Sequence, residues 1–407
     1  MARSLVNRGA VVYSALSAGI ARCPVAARAR GGAMAAFDEA DREYEGLLLD
    51  PAMRQMGHNC NLLPTHPAVR EALRGAVEGE VYRNYAPTYG LTELRDLVVR
   101  DLGLPECAAI ITNGAIEALY VALRTLLHPG DDFVTTDPTW PHTPYFGRDL
   151  GANVIEIPIY DRAVGFKLTP GALRRHLTPR TRAIGLLDPL NPVGSGYAPD
   201  EVRALCAVAA EAGAALLHDC TYRDFADAHL PALAVSPKAL VITSLSKWAG
   251  FSGLRLGAVV GPPDLIEEAA RRHVGRLGAN LVAQRAAVAA IRTKPEWFPG
   301  LFAAQRQHQA LLREAAVAVP GVTSLVFPSQ TNFVAFDVTG AGIDANALVG
   351  ALRAHKISIR SGSYGSPRFG ERFFRVTSTV PMDHVAAFAE AFPRAVAALR
   401  PRSARVG

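Results

Sequence analysis

The run Ser244-Leu245-Ser246-Lys247-Trp248-Ala249-Gly250-Phe251-Ser252-Gly253-Leu254-Arg255-Leu256-Gly257 decides the reading of this chain. It follows the apolar stretch Ala239–Ser244 and leads into another, Leu256–Val260. A lysine after a strand is ordinarily a surface lysine. Here it stands between two serines, ahead of a glycine-rich loop and an arginine. Glycine allows positive φ and a close approach of backbone to a bulky ligand. Hydroxyls and a guanidinium suit a phosphate. A lysine whose pKa is lowered can form an imine with a carbonyl ligand.

Outward from that run, short apolar stretches alternate with amphipathic ones. Strands are expected at Ala109–Thr112, Phe133–Thr136, Asn153–Ile159, Ala183–Leu187, Ala215–Asp219, Ala239–Ser244 and Leu256–Val260. Helices are expected at Ala115–Leu127, Pro144–Leu150, Pro170–Leu177 and Pro199–Ala212. The strands are nearly continuous apolar runs, as in a sheet covered on both faces. Strand and helix in alternation predict an α/β fold with a mostly parallel central sheet. From Lys294 the pattern changes to a smaller α+β domain. There Pro299–Val317, Ala345–Ala354 and Pro381–Leu399 read as helices, and Thr323–Val326, Asn332–Asp337, Ile357–Ile359 and Phe373–Val376 as strands. The expected division is a leader at 1–33, an N-terminal arm at 34–65, a large domain at 66–293 and a small C-terminal domain at 294–407.

Composition sets further limits. The pI is about 9.2, but five arginines and no acid fall in Met1–Ala33, and the remaining charges nearly balance. Nucleic-acid binding is therefore not expected. The leader reads as a transit-like segment, a flexible arm, or a stretch upstream of a start at Met34. No apolar run reaches the roughly 20 residues that span a bilayer. Cys23, Cys60, Cys107, Cys206 and Cys220 are scattered and odd in number, which fits a reducing compartment. The cytoplasm is expected, or an organelle if the leader is a transit peptide. The histidines show no zinc-ligand spacing, and no metal is expected.

In open α/β sheets ligands sit beyond the carboxyl ends of the strands. Thr112-Asn113-Gly114, Asp137, Asn191, Asp219 and Ser244–Lys247 occupy such positions. The Ser244–Gly257 run resembles the pyridoxal-5′-phosphate (PLP) lysine signature of class I/II aminotransferases, which are fold-type-I PLP enzymes. Other segments match in family order from about Asp50 to Arg400. The resemblance implies that Lys247 carries PLP as a Schiff base and that Ser244 and Arg255, with Ser246 a weaker candidate, hold its phosphate.

The other segments fall into place beside it. Asp219, alone a turn or cap aspartate, is implied to pair with the ring nitrogen and keep it protonated, which makes the ring an electron sink. Tyr222 and Asn191 match the residues that hydrogen-bond the ring's phenolic oxygen. The position after the aspartate is usually glutamate and here is Cys220. At Thr112–Leu119 a strand-to-helix turn offers free N–H groups, and Gly114 and Ala115 are implied to bind phosphate through backbone. Trp140, which alone reads as core, matches the aromatic that stacks on the ring.

Asn84–Arg95 matches the motif whose tyrosine, Tyr85, reaches the phosphate of a partner subunit. A homodimer with shared active sites is implied, where the bland reading is a turn and a helix capped by Thr92. Arg375 lies inside an apolar strand, where a charge is costly unless paired. It is implied to fork onto the substrate α-carboxylate, with Asn332 and Arg360 weaker candidates for the same pocket. Gly57 matches a substrate-touching glycine, while the following Asn59-Cys60-Asn61 departs from the family.

Together these features predict transfer of an α-amino group from an amino acid to a 2-oxo acid, with Lys247, Asp219 and Tyr222 doing the chemistry. The alternative on the same cofactor is other α-carbanion chemistry: elimination, replacement, cyclisation or oxidation. A non-catalytic regulator is the third reading, disfavoured because Lys247, Asp219 and Arg375 occur together.

Overall fold

The computed structural model describes residues 44–400, in two compact units. The first ends at Met53, and of its described residues, 44–53, those at 44–49 are helical. The expected leader and the helix-like run after Met34 lie largely outside the described residues.

The second unit opens with strand β1 (Arg54–Gln55) and then builds a large sheet from β2 (Ala108–Thr112), β3 (Asp132–Asp137), β4 (Asn153–Pro158), β5 (Thr181–Leu187), β6 (Ala215–Asp219), β7 (Leu240–Ser244) and β8 (Gly257–Gly261). The order is β2-β8-β7-β6-β5-β3-β4. All neighbours are parallel except that β8 runs against both β2 and β7. The Leu245–Leu256 loop joins β7 to its antiparallel neighbour β8 without an intervening helix.

Alternation along the strands feeds two apolar layers, because successive side chains point to opposite faces. Ile110, Leu217, Leu240, Ile242 and Val259 pack under the helices Ala115–Leu126 and Pro263–Arg272. Ile111, Val241, Ala258 and Val260 face the other way, against the helix Leu281–Val317. Farther along that face, Val134, Ile184, Leu186 and Leu216 meet the helices Pro170–His176 and Pro199–Glu211.

A second sheet, ordered β12-β13-β10-β9, combines β9 (Thr323–Ser324), β10 (Phe333–Asp337), β12 (Arg360–Ser361) and β13 (Phe373–Thr377). The helices Ala345–Ala354 and Met382–Leu399 cover it. Strand β11 (Ile357–Ser358) pairs with β1. Among the described residues no helix is long and apolar enough to cross a membrane.

Expected strand positions agree with the observed ones, with ends shifted by a residue or two. Three differences have physical causes. The helix expected from Pro299 begins at Leu281 and continues through Pro295 and Pro299. Its first half is anchored by Ala283, Ala286, Ala287 and Ala290 against the large sheet, and between the prolines Trp297 stacks on Trp248 while Phe298 meets it edge-on. Packing of that extent offsets the broken hydrogen bonds. Thr92 is not a cap: it is the first residue of the helix Thr92–Asp101, Leu91 precedes it, and the Thr92 hydroxyl meets Arg95. The helices Pro67–Glu78 and Pro263–Arg272, absent from the sequence reading, both start on a proline, which needs no hydrogen-bond donor there.

Candidate active site

Strand register gathers the predicted residues. Ser244 pairs with Gly257, and Gly257 with Thr112, so the ends of β7 and β2 lie on either side of the start of β8. Asp219 pairs with Leu187 of β5 and Ile242 of β7. The Asp188 N–H donates to the Asp219 carbonyl at 3.0 Å, which ties the start of the Asn191 turn to β6. Thr112, Asp219 and Ser244 thus line one edge of the sheet.

At that edge the helix Ala115–Leu126 begins, with Gly114 as its cap at φ 82°. A Cβ at Gly114 would fall 2.4 Å from Arg255 Nη2, and one at Gly257 would fall 2.5 Å from the Ala115 nitrogen. The two glycines therefore let a guanidinium and a helix N-terminus converge. Arg255 holds φ 57°, a conformation that non-glycine residues seldom adopt. Its Nη1 donates to the Ser252 carbonyl at 3.0 Å, and Ser252 Oγ donates to the Ser246 carbonyl at 3.0 Å. Ser244 Oγ accepts from the Ser246 N–H. Guanidinium, hydroxyls and free N–H groups at one point make an anion site.

Lys247 Nζ donates to the His58 carbonyl at 3.2 Å. Burial lowers the amine to about 8, opposed by Cys60 and reinforced by Arg375 and Arg255. Asp219 is buried, and its carboxyl is pushed up by desolvation, against hydrogen bonds from Thr221. Tyr222 is likewise buried and pushed up to about 12. Asn191 is buried in its turn, with Oδ1 lacking any partner. Trp140 lies half-buried after β3, its ring 4.7 Å from that of His142.

From the second sheet, Arg375 is 4% exposed, with Nε and Nη1 buried and unpartnered. Burial lowers it to about 10, opposed by Tyr222 and reinforced by Arg360. Asn332 spends its amide on the Asn59 carbonyl (3.0 Å) and Thr379 Oγ1 (2.8 Å), so it ties segments together. Gly57 packs on Ile359, whose carbonyl oxygen would lie 2.9 Å from a Cβ there. Tyr85 is 78% exposed and stands apart from this cluster in its environment.

The sequence reading missed Asn59. It is buried at φ 55°; its N–H donates to Thr377 Oγ1 (3.1 Å) and its Nδ2 to Tyr222 Oη (2.9 Å). Asparagine is the side chain that best tolerates this backbone region, and that was the available signal. His58 was missed as well. Burial, then Arg360, Arg375 and Lys247, lower it to about 4, which keeps it neutral.

One cluster invites a metal reading. Among the described residues, His218, Cys220 and His229 bring ligand-type atoms within 4.8 Å of one another. However, His218 Nδ1 accepts the Ala232 N–H at 3.0 Å, so that nitrogen is already taken. His218 Nε2 faces Asp188 Oδ2 at 3.4 Å, and His229 Nε2 lies 3.2 Å from the Asp188 carbonyl oxygen. The two rings thus bracket Asp188 rather than converge on an ion.

The residues fit the phosphorylated pyridine aldehyde that the sequence implies. The anion site suits its phosphate, the buried Asp219 carboxyl suits a cationic ring nitrogen, the buried Tyr222 hydroxyl suits a polar ring substituent, and the lowered Lys247 amine suits the aldehyde.

Comparison with known proteins agrees. The family model for aminotransferase class I and II matches residues 53–392. The chain is 27% identical over 322 residues to an aspartate aminotransferase of Geobacillus stearothermophilus, covering 73% of this chain and 80% of that protein. It is 32% identical over 215 residues to the aspartate/prephenate aminotransferase of Thermus thermophilus, covering 50% of this chain and 54% of that one. The fold is similar to that of N-succinyldiaminopimelate aminotransferase from Mycobacterium tuberculosis, with a TM-score of 0.79 and 24% identity, over 88% of this chain and 97% of that one.

Proposed function

Because this chain belongs to the class I and II aminotransferases, and is thus a PLP-dependent enzyme that moves an amino group from an amino acid to a 2-oxo acid, we propose that Lys247, Asp219, Tyr222, Asn191, Arg255 and Arg375 carry that reaction. One observation bears most of the weight: strand register aligns the Lys247 loop, Asp219 and the Gly114 turn along one sheet edge.

Bound, PLP supplies an electron-withdrawing protonated pyridine ring that makes the substrate Cα–H acidic. Asp219 holds the proton on the ring nitrogen. Burial pushes its carboxyl up, and among the described residues no lysine or arginine forms an ion pair with it, which leaves room for the ring nitrogen as partner. Tyr222 and Asn191 donate to the ring oxygen. Arg255, Ser244, Ser246 and the N–H groups of Gly114 and Ala115 bind the phosphate, and Trp140 sets the ring plane. Arg375 forks onto the α-carboxylate, with Gly57 beside it. Lys247 is neutral above about pH 8, so its amine can hold the cofactor and then take and return the α-proton. General acid–base work of this kind contributes about 10²–10⁴-fold.

Tyr85 is offered to a second copy of the chain. Its exposure, together with that of Tyr82 and Val77, supports a homodimer in which it reaches the partner's phosphate. The free thiols Cys60, Cys107, Cys206 and Cys220 support a reducing compartment, here the cytoplasm.

A half-reaction screen tests the reading. Purified enzyme loaded with PLP is mixed with single amino acids, and loss of cofactor absorbance is followed. A productive donor converts the cofactor to its amine form, and borohydride leaves a pyridoxyl adduct on Lys247. Full retention of the aldehyde form with every donor, or labelling elsewhere, overturns it.

A further inference from the structure

Two stretches of chain that carry groups of the site end on one buried cluster of charges. Trp248 follows Lys247, and its ring is 2% exposed and stacked on Trp297 at 5.7 Å. The Lys294 ammonium lies 4.4 Å from the centroid of the Trp248 ring. Arg223 and Asp224 follow Tyr222 in a tight turn, closed by the Phe225 N–H donating to the Tyr222 carbonyl at 3.0 Å. Lys294 Nζ donates to Asp224 Oδ1 at 2.5 Å and to the two carboxylate oxygens of Asp101 at 2.8 and 2.9 Å. Arg223 pairs with the Asp101 carboxylate and reaches the Asp101 carbonyl at 3.1 Å. Two cations thus meet two carboxylates, and the four side chains are between 3% and 19% exposed.

This arrangement uses the whole ammonium. Its three donors have three carboxylate oxygens, and its charge faces a desolvated aromatic ring. Asp101 ends the helix Thr92–Asp101, and Lys294 belongs to the helix Leu281–Val317. The Trp248 ring and the Tyr222 turn are therefore both referred to long, packed elements. On the side of the site, the Trp248 carbonyl accepts from Asn61 Nδ2 at 3.0 Å. A balanced buried cluster adds little net stability over apolar packing, whereas removal of one member leaves a charge unpaired.

We propose that Lys294 is a positioning residue for two groups of the site. Seated on Trp248 and held by Asp101 and Asp224, it fixes the backbone that presents Lys247 and Tyr222 to the cofactor. This rests on the reading of Lys247 and Tyr222 given above.

The test needs only PLP. The absorbance of the PLP-loaded protein is titrated against pH, and the rate at which cofactor-free protein captures PLP is measured at fixed pH. In Lys294→Met, capture slows by about tenfold to a hundredfold, the scale expected when a reacting group is displaced by about 1 Å. The absorbance midpoint moves up by about half a unit to one unit, as Tyr222 loses its aim at the ring oxygen. Lys294→Arg, which keeps a cation for the ring and the carboxylates, restores most of both. Lys294→Met combined with Asp224→Asn removes one charge of each sign. It recovers the melting temperature, and so carries the test where Lys294→Met alone fails to fold, but both cofactor readouts stay impaired. Wild-type capture and midpoint in that double variant overturn the proposal. So does a Lys294→Met variant that melts lower with both readouts unchanged, because the cluster would then serve stability alone. Borohydride reduction of the loaded wild type keeps the two claims apart: a pyridoxyl adduct on a residue other than Lys247 sinks the underlying reading whatever Lys294 does.

Discussion

The Asn59 side-chain amide donates to the Tyr222 hydroxyl at 2.9 Å, which fixes the direction of that tyrosine's own proton. With one lone pair occupied by Asn59, Tyr222 O–H is free to point at the ring oxygen of the cofactor. Asn59→Asp is nearly isosteric but accepts instead of donating, so it turns the tyrosine proton towards itself. The ionised ring oxygen loses a donor and gains a nearby negative charge. The expected result is an upward shift of the cofactor's absorbance titration, read spectrophotometrically against pH. An unchanged titration midpoint would mean that Asn59 is only a structural tie.

Lys247 gives a second test. Burial disfavours its charged form, so the neutral fraction of the amine rises with pH through about 8 and not through the ordinary lysine range. Imine formation requires the neutral amine. Reconstitution of the cofactor-free protein with PLP should therefore accelerate as pH rises and level off above about 8. Lys247→Ala should lose turnover by on the order of 10²–10⁴-fold. A reconstitution rate still climbing steeply at pH 10 would place the amine in water.

Gly114 is held at φ 82° with no space for a side chain before Arg255. Gly114→Ala should cost about 1 kcal/mol or more of stability from backbone strain. It should also push the guanidinium away from the anion site and weaken PLP by about tenfold. Equilibrium dialysis of the cofactor and urea denaturation read the two effects separately. Wild-type cofactor affinity in this variant would remove Arg255 from the phosphate site.

Asp219 trades stability for chemistry. Burial raises its carboxyl above the unfolded value, so the cofactor-free fold is penalised as pH climbs through the carboxylate range and carries the full cost at neutral pH. Asp219→Asn should raise the melting temperature of the cofactor-free protein at pH 7, with the gain shrinking in acid, while turnover collapses. Thermal melts at pH 4 and pH 7 give the sign. A lower melting temperature at pH 7 would show that the carboxylate is stabilised by something other than the cofactor.

Legibility in the sequence followed the range of the interactions. The sheet was readable because its strands carry apolar runs, and in β2, β6 and β7 a polar residue, Thr112, Asp219 and Ser244, marks the end. The Lys247–Arg255 run stood out because its members are neighbours both in sequence and in space. Asn59 did not, since its role comes from contacts with Tyr222, Thr377 and Asn332 more than a hundred residues away. Arg360 was read only as a weaker candidate for the Arg375 pocket, because its position opposite Arg375 comes from a strand pairing that no local pattern shows. The helix through Pro295 and Pro299 ran against local preference because aromatic stacking on Trp248 outweighs it.

That helix has a mechanical consequence. Leu281–Ile291 is buried with the large sheet, and Leu312 and Ala316 with the small one, so a single rod is shared by both hydrophobic cores. Neither core can melt without exposing half of the rod, and the two should come apart in one step. Limited digestion should accordingly release no long-lived half-molecule, and any rocking between the sheets has to be absorbed as bending around its two prolines.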